Sequence, residues 1–138
     1  MLAATQIIWE HLTASGTGLY SLVRKRVWSP EAPRVKTRWL NDAAAVIYEV
    51  PVEDPHSRAN VLTCRVAFSC YGGTANHAEA DAVYRALYDR LHGTRGALCA
   101  SGLIMEAVQE SGQPGLREPE TEWPFAAATY KITVQSVD

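Results

Sequence analysis

The stretch that decides the fold reads LTCRVAFSCYGG over residues 62–73 and NHAEADAVYRALYDRLHG over residues 76–93. In the first part apolar residues occupy every second position, which is typical of a strand with one face in a core. In the second part apolar residues recur at steps of three and one, which predicts a helix with a single apolar stripe. Asn76 and Glu79 are spaced as a capping box, and Gly93 marks the helix end. The pattern therefore predicts a strand that leads into an amphipathic helix.

The same criteria, applied outward from this stretch, predict the remaining elements. They are a helix over residues 4–14, a turn or single helical turn over 19–23, a brief strand at 27–28, a loop over 29–44, a strand over 46–52, a strand over 103–110, a loop over 111–125 and a last strand over 129–135. This order predicts a single α+β domain over residues 1–138. We expect a mainly antiparallel sheet of about four to five strands, with two helices packed on one face and long loops.

Composition is ordinary for a globular protein: the 138 residues are 47% hydrophobic and 20% charged. Cys64 and Cys70 fall on one predicted strand, roughly 20 Å apart, so they are too distant to form a disulfide. We therefore expect small buried thiols in a reducing compartment. The first residues lack the pattern of a signal peptide, and no apolar run approaches a membrane span, so an intracellular protein without a membrane partner is expected.

Charge is unevenly distributed along the chain, although the net charge of −2 does not favour a nucleic-acid binder. A basic stretch carries Arg24, Lys25, Arg26, Arg34, Lys36 and Arg38. An acidic stretch carries Glu106, Glu110, Glu118, Glu120 and Glu122. Surfaces of opposite sign on one subunit suit head-to-tail contact between copies. Two ordinary solvated faces are an equally good interpretation.

No residue pattern predicts a catalytic, metal or cofactor site. The four histidines lack the spacing of zinc ligands, and Gly72-Gly73-Thr74 lacks the lysine and glycine spacing of a phosphate-binding loop. His77 near Asp81 suggests a histidine–carboxylate pair, but a surface histidine in a first helical turn explains it better. We therefore expect a protein that is not an enzyme and that binds no cofactor.

Two tryptophans stand beside the charged stretches, Trp39 near the basic one and Trp123 near the acidic one. Aromatic residues close to arginines are favoured as interface anchors. A small cluster beneath a long loop is the alternative. The predicted subunit interface therefore comprises Arg24, Lys25, Arg26, Arg34, Lys36, Arg38, Trp39, Glu118, Glu120, Glu122 and Trp123.

Nearly the whole chain also carries a family resemblance. The residues concerned are the opening helix, GLYSLV at 18–23, RVW at 26–28, AVIYEV at 45–50, the strand over 62–71 leading into EADAVYRAL at 79–87, and YKITV at 130–134. With this order of elements the chain resembles the tail-terminator, or tail-completion, proteins of long-tailed bacteriophages. These patterns are structural, so no functional residue is carried over by identity.

The resemblance implies a virion protein, made in the host cytoplasm, that forms a hexameric ring at the head-proximal end of the tail tube. Such a ring stops tube polymerisation and joins the tube to the head connector, while double-stranded DNA passes through its lumen without sequence recognition. The implied partners are further copies of the chain, the tube protein and the connector protein. Another neck or tail subunit, such as a head-completion or tube protein, is the first alternative. A small enzyme or ligand-binding domain using His77 is the second.

Overall fold

A computed structural model describes residues 3–29, 44–50, 55–56, 61–72, 77–117 and 124–136. Its three helices are α1 (Ala3–Leu12), α2 (Gly18–Val23) and α3 (His77–Leu91). Its seven strands are β1 (Val27–Trp28), β2 (Ala45–Glu49), β3 (Pro55–His56), β4 (Val61–Tyr71), β5 (Thr94–Leu98), β6 (Gly102–Arg117) and β7 (Pro124–Ser136). The loop expected over residues 29–44 and the cap at Asn76 lie almost wholly outside this description.

The strands form one sheet in the order β1-β2-β4-β7-β6-β5, with β3 paired to the start of β4. β1 runs parallel to β2, and every other pairing is antiparallel. β4 pairs with β7 along the whole length of β4, so β4 and β7 form the centre of the sheet. The α+β class and the mainly antiparallel sheet agree with the prediction, but the expected strand and helix counts were too low.

The two strands missed are β3, which has only two residues, and β5, which follows α3. β5 was missed because its short sequence, TRGAL, shows no alternation and contains Gly96. The expected loop over 111–125 was wrong for residues 111–117, which continue β6, and for residues 124–125, which begin β7. Glycine and proline predict a break there, but the strand accommodates them with register shifts, the last of which lies between Gln113 and Leu116. Gly115 adopts φ +77° in that shift, a conformation that glycine tolerates best.

α2 is a complete short helix where the sequence favours at most a single turn. Thr17 caps it, because its side-chain oxygen accepts a hydrogen bond of 3.0 Å from the Tyr20 amide. Leu19 and Val23 lie on the buried side of this helix. Because α2 ends at Val23, the basic residues Arg24, Lys25 and Arg26 lie directly before β1.

The core lies between the inner face of the sheet and the helices, all three of which contribute to it. Alternate residues of β4 and β7 point into it, and α3 adds its predicted stripe of Ala80, Val83, Leu87 and Leu91. At its centre the Phe68 ring stacks on Tyr48, with centroids 5.5 Å apart, and meets Tyr130 edge-on at 5.4 Å. The Tyr48 hydroxyl donates a 2.7 Å hydrogen bond to the Thr5 carbonyl, which joins β2 to α1.

No disulfide joins the three cysteines, all of which lie in the described ranges: Cys64 and Cys70 are buried and Cys99 is partly buried. Burial raises the pKa of the Cys70 thiol well above its usual range. None of the helices in the described ranges is long and apolar enough to cross a membrane.

Candidate subunit interface

Arg24 and Lys25 are exposed at the turn between α2 and β1, as the interface prediction requires. Arg24 adopts φ 55° and ψ −123°, a backbone conformation that strongly favours glycine. Its amide donates a 2.8 Å hydrogen bond to the Tyr20 carbonyl, and its guanidinium lies 5.8 Å from the Tyr20 ring centroid. An arginine is therefore held in a strained turn with its charge at the surface.

Arg26 differs from these two neighbours because its side chain is engaged within the fold. Its Nε donates to the Ala44 carbonyl at 2.8 Å, and its Nη2 donates to the Leu22 carbonyl at 3.1 Å. Its own carbonyl accepts a 3.0 Å hydrogen bond from the Val46 amide. The sequence groups Arg26 with the other basic residues, whereas the structure shows that it joins α2 to the start of β2.

The other predicted interface residues lie outside the described residues: Arg34, Lys36, Arg38 and Trp39 fall within 30–43, and Glu118, Glu120, Glu122 and Trp123 fall within 118–123. The two ends of the second segment are nevertheless fixed, because Arg117 pairs with Pro124. Six residues that include three glutamates therefore connect the ends of β6 and β7.

The two remaining members of the acidic stretch, Glu106 and Glu110, are exposed on β6. Glu110 Oε1 accepts a 2.8 Å hydrogen bond from Nε of Arg65 on β4. Both side chains are substantially exposed, so this pair contributes little to stability. It is a feature of the sheet surface and does not hold the fold together.

The register places the basic turn at the same end of the sheet as Arg117 and Pro124, the described residues on either side of the acidic segment. One row of paired residues crosses four strands there, from Ala45 to Tyr71, Phe125 and Leu116. Arg26 stands beside this row, next to β2, and Arg117 follows it at the end of β6. Arg26 and Arg117 therefore lie toward opposite edges of the same end of the sheet.

Between these edges, the face opposite the helices carries a second apolar cluster, formed among the described residues by strands alone. We call it the outer apolar strip; it consists of Trp28, Ala45, Ile47, Tyr71 and Phe125. The Tyr71 and Phe125 rings stack with centroids 5.4 Å apart. Trp28, Ile47 and Phe125 are only partly buried. The strip was not predicted from the sequence because only the core-facing residues of each strand were considered. The apolar residues at the alternate positions, Ile47, Tyr71 and Phe125, could have indicated it.

The alternative of a ligand site at His77 receives little support. A hollow of about 570 Å³ lies between α2 and α3, but its lining includes Asp81, Arg85 and Asp89 and not His77. His77 Nδ1 and Asp81 Oδ1 are enclosed without a hydrogen-bond partner among the described residues, and the neighbouring residues 73–76 lie outside the description. Within the described ranges no three His, Cys, Asp or Glu side chains gather to hold a metal ion.

Two other histidines hold elements together. His11 Nε2 lies 3.1 Å from the Arg90 carbonyl, and Arg90 Nε donates a 2.9 Å hydrogen bond to the His11 carbonyl, so the ends of α1 and α3 are joined reciprocally. Burial and the Arg90 charge lower the pKa of His11, although the hydrogen bond to the carbonyl opposes them. His92 Nδ1 accepts a 3.0 Å hydrogen bond from the Gln109 amide and so fastens α3 to β6.

β6 is also fastened to the core beside its exposed half. The Tyr130 hydroxyl donates to Gln109 Oε1, and Gln109 Nε2 donates to the Tyr84 hydroxyl, each at 2.9 Å. Gly112 lies against the Tyr84 hydroxyl, and a Cβ at residue 112 would collide with that hydroxyl. The absence of a side chain at residue 112 therefore lets β6 continue past α3.

Comparisons with known proteins agree with this architecture. No protein-family model matches the chain, and no curated protein sequence matches it either. Among solved structures, a chain from the virion of a native gene transfer agent particle matches with a TM-score of 0.64 and 17% identity, covering 97% of this chain and 94% of that chain. The two chains share a fold. The likeness extends over nearly the full length of both and includes the region of β5 and β6 that sequence reasoning misjudged.

Proposed function

We propose that this protein is a virion structural protein, a tail terminator that forms a hexameric ring at the head-proximal end of a tail tube. The ring stops tube polymerisation and joins the tube to the head connector. The observation that carries the proposal is the full-length fold likeness to a chain of the gene transfer agent virion. That likeness supports a virion structural protein, and the terminator role within this class comes from the resemblance of the sequence to the phage tail-terminator family.

In this role the protein works in the virion through contacts with its own copies, with the tube protein and with the connector protein. DNA passes through the lumen without sequence-specific binding, and no cofactor takes part. A head-completion or tube protein, the alternative within the same class, shares the fold argument and differs in what it does to a growing tube.

The interface proposal centres on Arg24 and Lys25. Holding a non-glycine residue in a sparsely populated backbone conformation costs on the order of 1–3 kcal/mol, and such strain tends to persist where function uses the residue. At Arg24 the strained turn presents two successive exposed positive charges at one edge of the sheet. Arg34, Lys36, Arg38 and Trp39 extend this basic side of the proposed contact, and Glu118, Glu120, Glu122 and Trp123 form its acidic side.

A polymerisation assay tests the proposed function. Purified protein is added to tail tubes growing from purified tube protein of the same particle, and tube lengths are measured by electron microscopy. A terminator leaves tubes short, with an extra ring at one end. Incorporation throughout longer tubes would support the tube-protein alternative, and tubes unchanged in length and ends would contradict both.

A further inference from the structure

The β5–β6 hairpin carries an exposed apolar patch. Leu98 is 81% exposed, the highest value for a large apolar side chain among the described residues, and Met105 on β6 is also exposed. Leu98 pairs with the partly buried Leu103 across the hairpin. The next residue, Ile104, belongs to the core, so by alternation Leu103 and Leu98 lie on the outer face of the sheet. We call Leu98, Leu103 and Met105 the hairpin patch.

The turn of this hairpin is fastened to α1. Glu10 Oε1 accepts a 2.8 Å hydrogen bond from the Ser101 amide, and Glu10 Oε2 accepts one of 2.6 Å from the Ser101 hydroxyl. Backbone hydrogen bonds in both directions between Cys99 and Gly102 close the turn. The hairpin patch is therefore held in place before a partner binds, which lowers the entropic cost of a contact.

The hollow between α2 and α3 lies on the other, helical side of the sheet. Its volume of about 570 Å³ falls within the range of pockets that take up small apolar groups, roughly 300–1,000 Å³. Much of its lining consists of small residues: Gly18, Ser21, Ala78, Ala82 and Ala86. α2 contacts β2, which is separated from β5 by three strands. One copy therefore cannot place its hairpin patch in its own hollow, and a contact between these two surfaces is heterologous.

The two surfaces match in spacing. Leu98 lies three residues from Arg95, roughly 10 Å along β5. Ala82 lies seven residues from Asp89, also roughly 10 Å along α3. All four residues are exposed. Leu98 of one copy set beside Ala82 of the next therefore brings the charge of Arg95 to the opposite charge of Asp89.

The neighbouring charges are also opposite in sign. Glu106 pairs with Arg95 across the hairpin, and Arg85 precedes Asp89 by one turn of α3. Both Glu106 and Arg85 are exposed. Each surface thus offers one charge of each sign to its counterpart, which favours this pairing and fixes its orientation.

We infer that the hairpin patch of one copy docks in the hollow between α2 and α3 of a second copy, with Leu98 entering beside Ala82. The inference rests on the proposed ring, and it assigns two contact surfaces that the ring proposal leaves open. α2, which lines the hollow, ends directly before the exposed Arg24 and Lys25, so the hollow continues the basic side of the proposed interface. Apolar contact flanked by charged residues is the usual anatomy of a specific interface.

Cysteine crosslinking tests this contact. Ala82→Cys and Ala100→Cys are combined in one chain with Cys99→Ser, and the protein is treated with a short bis-maleimide crosslinker, alone and with tail tubes present. Both positions are exposed, and the remaining native thiols are buried. We expect a ladder of crosslinked multimers up to the hexamer, and monomer alone from each single variant. In the control chain Gln113→Cys, at the other end of β6, replaces Ala100→Cys and should give no ladder.

Charge reversal gives a second test that needs no reactive group. Arg95→Asp should raise several-fold the protein concentration at which half of the chains are in rings, free or on tube ends. Adding Asp89→Arg in the same chain should restore the native concentration, because each contact again joins opposite charges. Lys131→Asp, an exposed charge change on β7 outside both surfaces, should leave assembly unchanged. Normal assembly by Arg95→Asp, or no recovery in the double variant, would overturn the docking.

The outcomes separate this inference from the proposed function, because every variant is tested for tube capping before crosslinking. Capping by the doubly substituted cysteine variant without a ladder would overturn the contact and leave the terminator role standing. Crosslinked dimers from a single cysteine variant would also overturn it, in favour of a two-fold contact. A ladder without capping would support the contact and contradict the terminator role.

Discussion

The two faces of the sheet show how one alternating sequence serves two purposes. On the inner face Tyr48, Phe68 and Tyr130 are almost completely buried, and helices cover them. On the outer face the aromatic residues Trp28 and Phe125 are only partly buried, and the other members of their apolar cluster in the described part of the chain are strand residues. Packing on the inner face is completed within the chain, whereas in the described ranges the outer face keeps apolar side chains partly exposed, as interaction surfaces do. Stability should therefore depend mainly on the inner face and assembly on the outer face.

The largest expected effect comes from comparing the two faces in a matched pair of variants, Phe68→Ala on the inner face and Phe125→Ala on the outer face. Removing the fully buried Phe68 ring should lower the free energy of unfolding by about 3–5 kcal/mol, because it leaves a cavity between two aromatic neighbours. Removing the partly exposed Phe125 ring should cost about 1 kcal/mol, in proportion to the smaller area that it buries. Denaturant unfolding monitored by fluorescence measures both values.

In the same pair, ring assembly should respond in the opposite order when it is measured on folded protein well below the unfolding transition. Phe125→Ala should reduce oligomerisation, and Phe68→Ala should leave it intact in whatever protein remains folded. Equal losses of stability in the two variants, or normal assembly by Phe125→Ala, would remove the distinction between the faces.

A smaller effect is expected at Gly112, where β6 passes α3. Gly112→Ala places a methyl group against the Tyr84 hydroxyl and disturbs the hydrogen bond of that hydroxyl with Gln109. We therefore expect the free energy of unfolding to fall by about 1–3 kcal/mol. Gly18→Ala is the matched control, because a Cβ at the first residue of α2 meets nothing within 4 Å. If thermal unfolding showed no difference between the two variants, the close approach of β6 to α3 would be wrong.

Arg24→Gly should change stability and assembly in opposite directions. Glycine relieves the backbone strain at φ 55°, so the free energy of unfolding should rise by about 1 kcal/mol. Loss of the charge should weaken assembly, most clearly at low ionic strength. Lys25→Glu is the companion variant, expected to weaken assembly without the gain in stability. Arg26 stays unchanged in both, because its guanidinium holds two carbonyls of the fold. Unchanged assembly by both variants would show that the basic turn plays no part in the contact.

The smallest effect concerns pH and the inner side of the molecule. Burial lowers the pKa of His11 below its ordinary value of 6.5, so the folded state favours the neutral ring and the unfolded state binds the proton more readily. The stability that His11 contributes is therefore present above pH 6.5 and is lost as the pH falls toward the folded pKa. His11→Gln should lose less stability than the native protein between about pH 7.5 and about pH 5.5. Identical pH dependence in the two proteins would exclude this role for His11.

The parts of the fold that were predictable are those in which one periodicity dominates. β4 and α3 follow from repeats of two and of three to four residues, because their buried sides are uniformly apolar. β5 and the second half of β6 were not predictable, because glycine and proline predict breaks unless bulges and long-range pairing compensate for them. Tertiary hydrogen bonds such as those of Gln109 have no local signature.

The sequence shows which residues of the candidate interface are charged. It does not show whether a charged side chain is exposed at the surface or hydrogen-bonded within the fold. Arg24 and Lys25 are exposed as expected. The adjacent Arg26 instead donates hydrogen bonds to two backbone carbonyls within the fold, and nothing in the sequence indicates this difference. The prediction placed the aromatic anchors at Trp39 and Trp123, which lie outside the described residues. Trp28 was passed over because its membership of the outer apolar strip depends on the pairing of β1 with β2.

The mass of the native protein in solution, measured by size-exclusion chromatography with light scattering and followed by negative-stain imaging of the peak, tests the central claim most directly. Measurements are made alone and after addition of purified tail tubes, since a tube end can serve as the template for assembly. Closed rings of hexameric mass, free or seated on a tube end, are predicted, because a heterologous contact between copies repeats around a closed ring. A two-fold dimer, or a monomer that remains monomeric with tubes present, would contradict it.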